Sequence, residues 1–247
     1  MHSLQLDALH FAYPDRAQVV QAVQLRMAPG EIHCLIGRSG CGKTTVLKLA
    51  AGLLTPTQGD VHLQGQRVRE PASVMGFVFQ TPNLLDWLSV LDNVLLPLSL
   101  HGTVTPAQRL HAQQLLAQMG LAERGHDHPP QLSGGQQSRV AVARALITRP
   151  GILFMDEPFA ALDAITREEL QRDFLALCQA QGMAVLFVTH DMAEAVYLAD
   201  RVSVMHQGRI HTTLPIGLAR PRASAVRFGP EFNALCAQLR QAMDTAP

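Results

Sequence analysis

The sequence lacks an excess of charge of either sign and is poor in aromatic side chains. Twenty Lys and Arg residues balance twenty Asp and Glu residues, and aromatic residues make up 5% of the chain. A protein that binds nucleic acid usually carries a basic surface or aromatic platforms on which bases stack. Neither is indicated by this composition, so we expect no nucleic-acid partner.

The chain also lacks an apolar run long enough to cross a membrane. Its richest apolar stretch, residues 90–100, is interrupted by Asp92, Asn93 and Pro97. The first residues contain no basic region followed by an apolar block, so no signal peptide is predicted. We therefore expect the chain to stay in the cytosol and to reach any membrane through a partner.

Closely spaced cysteines are missing as well, since Cys34, Cys41, Cys178 and Cys236 form no Cys-x-x-Cys pair. This spacing argues against a disulfide framework or a zinc site and favours reduced thiols. With 247 residues, of which 47% are hydrophobic, the chain is long enough for one large domain with its own core.

Dense apolar runs alternate with helical patterns along the chain. The runs at 32–36, 152–155 and 184–188 have the character of buried parallel strands. Alternating apolar and polar residues near the N-terminus predict antiparallel strands, the first of them bulged. The strand–helix alternation predicts an α/β fold with a parallel core sheet, flanked by antiparallel strands and interrupted by a helical insert.

Two helices are predicted in some detail. Thr105 to Gln108 reads as a capping box with proline at the first helical position, and Leu110, Leu115, Leu116 and Met119 continue the helix. A tail helix from Pro230 places apolar residues at helical spacing. We expect that tail helix to pack on its own domain, with a docking helix for a partner as the alternative.

Residues 37–44 match the pattern GxxxxGK[ST] between a predicted buried strand and a predicted helix. Glycines let the backbone turn its N–H groups toward one point, and the following helix N-terminus adds to this phosphate site. Lys43 is expected to reach the β- and γ-phosphates, and the Thr44 hydroxyl to hold Mg²⁺. Arg38 and Cys41 are expected to contribute backbone groups only. The candidate nucleotide-binding residues of this loop are Gly37, Arg38, Ser39, Gly40, Cys41, Gly42, Lys43, Thr44 and Thr45.

A second apolar strand, 152–155, runs directly into Asp156 and Glu157. In a P-loop fold, the carboxyl end of such a strand lies beside the phosphates. Asp156 is expected to orient the Mg²⁺ shell, and Glu157 to polarise the attacking water. A solvated acidic turn is the alternative, but a buried strand leading into the pair argues against it.

The pentapeptide Leu132-Ser-Gly-Gly-Gln136 begins another predicted helix and gives a second candidate anion site. With this motif, the chain resembles the ATP-binding cassette (ABC) family from Leu4 to about Leu214. The resemblance implies that two cassettes pair head-to-tail. Each ATP would then lie between one P-loop and the partner's signature, which here consists of Ser133, Gly134, Gly135 and Gln136.

Four more positions match elements of that family in the expected order. Tyr13 matches the aromatic residue that stacks on adenine, although a core tyrosine remains an alternative. Gln80 matches the Q-loop glutamine, which senses Mg²⁺ and the membrane partner. Asp163 matches the D-loop aspartate of the dimer interface, and His190 matches the switch histidine that contacts the γ-phosphate.

The resemblance implies a P-loop NTPase fold, an ABC cassette with a RecA-like core, an antiparallel β-subdomain and a helical subdomain. We expect the ATPase domain at residues 1–216, its helical subdomain at about 82–145, and a short helical tail at 217–247. ATP and Mg²⁺ are the implied cofactors. The catalytic residues are expected to be Lys43, Gln80, Glu157 and His190, and the Mg²⁺ contacts Thr44, Gln80 and Asp156.

Several longer stretches are similar to the nitrate/sulfonate/taurine importer group of ABC proteins, among them Leu84–Val94 and Thr189–Asp200. The likeness implies a motor subunit at the cytoplasmic face of the inner membrane. Its partners would be a second copy, a permease and, indirectly, an extracytoplasmic solute-binding protein. Importers of pyrimidine precursors or phosphonates, an exporter motor and a soluble ABC protein stay open. A P-loop kinase would leave the signature unexplained.

The chain departs from the family pattern directly after the signature. It reads Gln137-Ser138-Arg139 where relatives usually have Arg-Gln-Arg, and Ala160 replaces the small polar residue or glycine that is common before the D-loop. The first change removes a positive charge near the signature helix, so nucleotide affinity or partner contacts are expected to differ. Neither change removes a catalytic group.

Overall fold

The structure of the protein is a computed structural model that describes residues 3–15 and 18–246. The strands are β1 (Leu4–Phe11), β2 (Val20–Met27), β3 (Ile32–Gly37), β4 (Gln58–Leu63), β5 (Gln66–Arg67), β6 (Met75–Val78), β7 (Ile152–Asp156), β8 (Ala184–Thr189), β9 (Arg201–His206) and β10 (Arg209–Pro215). The α-helices are α1 (Lys43–Ala50), α2 (Val90–Ser99), α3 (Pro106–Gln118), α4 (Gly134–Leu146), α5 (Ala164–Gln181), α6 (Met192–Leu198) and α7 (Pro230–Asp244). Short 3₁₀ helices span Ala122–Arg124, Pro129–Gln131 and Ser224–Phe228.

A six-stranded sheet forms the centre of the molecule, in the order β10-β9-β3-β8-β7-β6. The strands from β6 to β9 in this order pair in parallel, and β10 pairs antiparallel with β9. Every residue of β3, β7 and β8 is buried. Strands covered on both faces need apolar side chains at every position, which explains the continuous apolar runs in the sequence. The predicted parallel core sheet is confirmed.

A smaller antiparallel sheet lies beside the core, in the order β2-β1-β4-β5. The pairing of β1 with both neighbours shifts in register beyond residues 6 and 7. These shifts confirm the predicted bulge, because an extra residue in one strand reverses the side-chain phase. The sheet packs its apolar face over α1 and one face of the core sheet.

The helical insert contains α2, α3 and α4, which pack against each other and the core. Thr105 and Gln108 form the predicted capping box, with Pro106 as the first helical residue. The predicted helix continues through Leu110, whose side chain is 56% exposed. The buried face carries Ala112 and residues spaced from it by helical turns, and Leu110 lies about 200° around the helix from Ala112.

The tail helix α7 packs on its own chain, as expected. Phe232 and Leu239 are buried, and Leu235, Cys236 and Met243 pack against the same core cluster. Ahead of this helix, the buried Arg222 guanidinium donates to the carbonyls of Tyr197 and Ala199, both at 2.8 Å. These bonds tie the start of the tail to the end of α6.

Within residues 3–15 and 18–246, no helix combines the length and the apolar character that a membrane crossing requires. All four cysteines are free thiols, as predicted. The described side chains also contain no group of three or more His, Cys, Asp or Glu residues arranged to hold a metal ion.

Candidate nucleotide-binding site

The P-loop joins the buried strand β3 to helix α1. Gly42 is the N-cap of α1 with φ 103°, a left-handed conformation that glycine adopts without steric cost. A Cβ atom at Gly37 would run into the carbonyl oxygen of Met205 on β9, so no side chain fits there. The loop therefore closes tightly over the sheet and aims the free N–H groups of the first turn of α1 outward. Such an arrangement binds phosphate.

Lys43 lies within this loop and is only 7% exposed. Its ammonium group donates to the carbonyl oxygens of Gly37 at 2.8 Å and Arg38 at 3.1 Å. Cys41 is also buried, with its sulfur 3.9 Å from the Lys43 nitrogen. A positive charge is thus held at the point where the backbone N–H groups converge.

Asp156 stands at the end of β7, beside the first turn of α1. The Thr44 hydroxyl donates to its Oδ1 at 3.0 Å. Burial raises the pKa of Asp156 above its usual range, while the hydrogen bond from Thr44 and the charges of Lys48 and Lys43 act to lower it. A carboxylate oxygen and a hydroxyl oxygen thus meet at one point, which is a hard donor pair suited to Mg²⁺.

Gln80, Glu157 and His190 converge although they are far apart in sequence. The Gln80 amide donates to Glu157 Oε2 at 3.3 Å, and His190 Nδ1 lies 3.3 Å from the same oxygen. The three residues follow β6, β7 and β8, whose carboxyl ends meet at one edge of the sheet. Strand β6 ends at Val78, so Gln80 lies in the loop that follows it.

Glu157 adopts φ 48°, which is uncommon for a residue with a Cβ atom. Its backbone N–H donates to the carbonyl of Val188 at 3.0 Å, which fixes this conformation against β8. The chain therefore turns sharply after Asp156. Two successive carboxylates can then point to different places, Asp156 toward Thr44 and Glu157 toward Gln80 and His190.

A cavity of about 610 Å³ lies over the P-loop. Beside the loop residues, it is lined by Tyr13, Gln80 and Glu157. The Tyr13 hydroxyl lies 3.5 Å from the Thr45 hydroxyl, and its ring meets Phe11 edge-on with centroids 4.9 Å apart. Tyr13 thus lies at the wall of the cavity, as an adenine-stacking residue requires, rather than inside the core. Asp15 and Val19 also line it and were missed, because no motif marks them.

The signature residues form a different cavity, of about 470 Å³. Ser133 caps α4 in a box with Gln136, in which each side chain bonds the backbone N–H of the other residue. A Cβ atom at Gly134 would meet nothing within 4 Å, so this helix end is open. Asp163 lines the same cavity and caps α5 by accepting from the N–H of Thr166 at 3.0 Å. Arg139 and Thr166 also line it and were not predicted.

Among the described residues, the lining of the P-loop cavity and that of the signature cavity have no member in common. The structure thus brings the P-loop together with Tyr13, Gln80 and Glu157. It brings the signature together with Asp163. One chain therefore presents two separate candidate anion sites at two different helix N-termini.

Comparison with known proteins identifies the class to which this fold and these two cavities belong. The chain belongs to the ABC transporter family, whose family model matches residues 20–160. It is an ATP-binding subunit of the ABC type, an ATPase whose hydrolysis is coupled to transport.

Curated relatives match nearly the whole chain. The taurine import ATP-binding protein TauB of Chromobacterium violaceum is 44% identical, covering 97% of this chain and 95% of the relative. The aliphatic sulfonates import ATP-binding protein SsuB 1 of Xanthomonas axonopodis pv. citri is 48% identical, covering 83% and 82%. The nitrate import ATP-binding protein NrtD of Synechococcus elongatus is 44% identical, covering 91% and 83%.

Solved structures agree with the fold. The ATP-binding cassette MJ0796, solved as a dimer in a post-hydrolysis state bound to ADP and Pi, superposes with a TM-score of 0.80. It is 30% identical, and the match covers 87% of this chain and all of that one. CbiO1 from Clostridium perfringens superposes with a TM-score of 0.79 at 23% identity and supports the fold alone. The predicted ABC cassette fold is confirmed.

Proposed function

We propose that this chain is the motor subunit of an importer for small anionic or zwitterionic solutes, of the taurine, alkanesulfonate or nitrate type. The observation that carries the hydrolytic part is the meeting of Gln80 and His190 at one carboxylate oxygen of Glu157, beside the P-loop. A carboxylate held in this way can orient and polarise a water molecule for attack on a γ-phosphate.

The roles of the P-loop residues follow from their positions. The N–H groups at the start of α1 and the Lys43 ammonium hold the β- and γ-phosphates. The Lys43 charge already lies at the loop, so little reorganisation opposes its effect on charge that develops during hydrolysis. Tyr13, at the cavity wall, stacks on the adenine.

The donor atoms beside the P-loop fit Mg²⁺. Thr44 and Asp156 supply a hydroxyl and a carboxylate oxygen 3.0 Å apart, and Gln80 stands nearby on the cavity wall. When bound, the ion neutralises phosphate charge. Burial and the hydrogen bond from the Thr44 hydroxyl fix the position of the Asp156 side chain. That arrangement favours a bound cation, because the cation would stabilise the ionised form of a carboxylate whose pKa is raised.

The working unit is a head-to-tail pair of chains. The signature cavity has an open helix end at Gly134 and an exposed Ser133, and it shares no lining residue with the P-loop cavity. Placed opposite a partner's P-loop, it would complete the binding site around each nucleotide. Asp163, on the same surface, would lie at the contact between the two chains.

The solute class and the membrane partner are inferred from the relatives. TauB, SsuB and NrtD are import subunits for taurine, aliphatic sulfonates and nitrate. A permease would bind near the Q-loop, where Trp87 is 74% exposed. The chain would thus lie at the cytoplasmic face of the inner membrane. We keep the division into an ATPase domain (1–216) with its helical subdomain (about 82–145) and a tail (217–247).

The test of the motor mechanism is Glu157→Gln. Loss of the water-activating carboxylate should slow hydrolysis on the order of 10²–10⁴-fold while ATP still binds. ATP should then trap a dimer that size exclusion with light scattering detects. Glu168→Gln on α5 is the matched control and should behave like wild type. A Glu157→Gln protein that binds ATP but stays monomeric, even with its permease, would contradict the paired mechanism.

The solute is tested separately, by growth of a deletion strain on single nutrients. The panel contains taurine, alkanesulfonates, nitrate, pyrimidine precursors and phosphonates. Loss of growth on one nutrient, restored by the wild-type chain and not by Lys43→Ala, would name the solute. Loss only on a pyrimidine precursor or a phosphonate would contradict the proposed solute class and leave the motor role intact.

A further inference from the structure

A buried hydrogen-bond network lies directly behind His190. Glu194, on α6, is 5% exposed, and the Thr189 hydroxyl bonds its Oε2 at 2.6 Å. Thr189 is the last residue of β8 and is buried as well. Its hydroxyl oxygen also accepts the backbone N–H of Asp191 at 3.1 Å. The hydroxyl thus donates to a carboxylate and accepts from the backbone two residues ahead.

This network closes the turn that carries His190. The turn begins at Thr189, whose register partner on β3 is Ile36, one residue before the P-loop. It ends at Asp191, which caps α6 by accepting the N–H groups of Ala193 and Glu194 at 2.8 and 3.1 Å. His190 lies between two anchored residues, and its exposed ring reaches Glu157 Oε2 at 3.3 Å.

We propose that Glu194 is a positioning residue for His190, acting through the Thr189 hydroxyl to set the turn that aims the imidazole at Glu157. The proposal rests on the role assigned to His190 under the proposed function. Glu194 itself does not reach the nucleotide cavity, because its side chain faces the interior between α6 and the core sheet. Its contribution is geometric: the buried carboxylate accepts from the Thr189 hydroxyl, and this bond holds the start of the turn in place.

The surroundings of Glu194 make this constraint sensitive to pH. Burial raises the pKa of Glu194 to about 7, while the hydrogen bond from Thr189 and the charges of Arg167 and His190 lower it and Asp191 raises it. Its other oxygen, Oε1, is buried and has no hydrogen-bond partner in the described part of the chain. Two more titratable groups face it, Cys34 from β3 and Arg227 from the tail. Above this pKa, the ionised carboxylate needs the Thr189 hydroxyl as a hydrogen-bond donor. Below it, the protonated carboxyl group no longer needs that donor.

The first experiment removes the hydroxyl while keeping its volume. Thr189→Val should lower kcat on the order of 10- to 100-fold, because a small misplacement of a catalytic group costs that much. ATP affinity of the isolated chain should change by less than about threefold, because the P-loop contacts are untouched. Thr189→Ser keeps the hydroxyl and should restore kcat to nearly the wild-type value. Thermal unfolding of both variants checks that the fold is intact.

The second experiment removes the charge while keeping an acceptor. In Glu194→Gln, the amide oxygen can still accept from Thr189 at every pH. The wild-type kcat is expected to rise between about pH 6 and about pH 8, and the variant should keep nearly full kcat near pH 8 and lose part of that rise. The two proteins differ only at residue 194, so the difference between their pH profiles is caused by that side chain.

His190→Ala, measured in parallel, separates this inference from the proposed function. If His190→Ala hydrolyses ATP at the wild-type rate, the role proposed for His190 is wrong, and the positioning role falls with it. If His190→Ala is inactive but folded Thr189→Val keeps full kcat, only the positioning role is overturned. An unchanged pH profile in Glu194→Gln would also overturn it.

Discussion

The P-loop cavity and the signature cavity are both built around helix N-termini, yet they differ in how many of the groups of a binding site each one provides. At the P-loop, Lys43 and Asp156 are 7% and 5% exposed, and three strand ends bring further polar groups to the cavity. At the signature, Ser133 and Gly134 lie exposed on a helix of the insert. The first cavity is preorganised within one chain, and the second is an open surface.

The difference has a physical cause. A loop at the carboxyl edge of a parallel sheet is surrounded by the ends of neighbouring strands, so its polar groups are buried and fixed by the core. A helix N-terminus on the surface of an insert has only its own capping residues, here Ser133 and Gln136. If the proposed pairing is correct, we expect one chain to bind ATP alone and a second chain to be needed to enclose the nucleotide.

Among the substitutions that test this difference between the two cavities, Lys43→Ala is expected to have the largest effect. Removal of the buried ammonium takes away a preorganised charge and should lower hydrolysis on the order of 10²–10³-fold. ATP binding to the isolated chain should weaken as well, and isothermal titration measures it. Lys48→Ala, five residues further along α1, is the control and should retain binding. Unchanged ATP affinity in Lys43→Ala would mean that the P-loop cavity is not the primary site.

A selective effect is expected from Gly134→Asp. A side chain at this position has open space in the monomer, and an acidic residue in the first turn of a helix is favourable, so folding should be retained. Across the dimer, however, the new carboxylate would face the triphosphate. Since a like-charge pair costs several kcal/mol, ATP-induced dimerisation should weaken on the order of 10²-fold or more.

Gly134→Asn is the matched control, because it has the size of Asp without the charge. The isolated Gly134→Asp chain should bind ATP as the wild type does, and light scattering with ATP should show fewer dimers than for Gly134→Asn. Equal dimerisation of the two variants would show that no phosphate approaches this helix end. Weakened ATP binding by the isolated Gly134→Asp chain would show that the two cavities are not independent within one chain.

The same contrast explains what could be predicted from the sequence. The P-loop, Asp156 and the signature were predicted because each is a contiguous motif whose flanking strand or helix fixes its geometry. The convergence of Gln80 and His190 on Glu157 joins residues that follow three different strands, so it was expected only by resemblance to a family. The left-handed turn at Glu157 and the bond between Thr189 and Glu194 had no sequence signal at all. They depend on how the turns after β7 and β8 pack in the folded chain.

The smallest effect is expected at Gln137, where the sequence departs from its family. The lost positive charge was expected to alter nucleotide affinity or partner contacts, but in the structure the Gln137 side chain makes local hydrogen bonds. Its amide donates to the carbonyls of Pro129 at 3.0 Å and Leu132 at 3.3 Å, which ties the first turn of α4 to the 3₁₀ turn ahead of the signature.

Gln137→Ala should therefore lower the free energy of unfolding by about 1 kcal/mol, the net worth of a neutral hydrogen bond, with no change in ATP affinity of the isolated chain. Chemical denaturation and isothermal titration measure the two quantities. Gln137→Arg supplies several donors that reach the same carbonyls, so its stability should stay near that of the wild type. If Gln137→Arg dimerises with ATP at least tenfold more tightly than the wild type, the missing charge, rather than the tie to the 3₁₀ turn, is what this position contributes to the signature cavity.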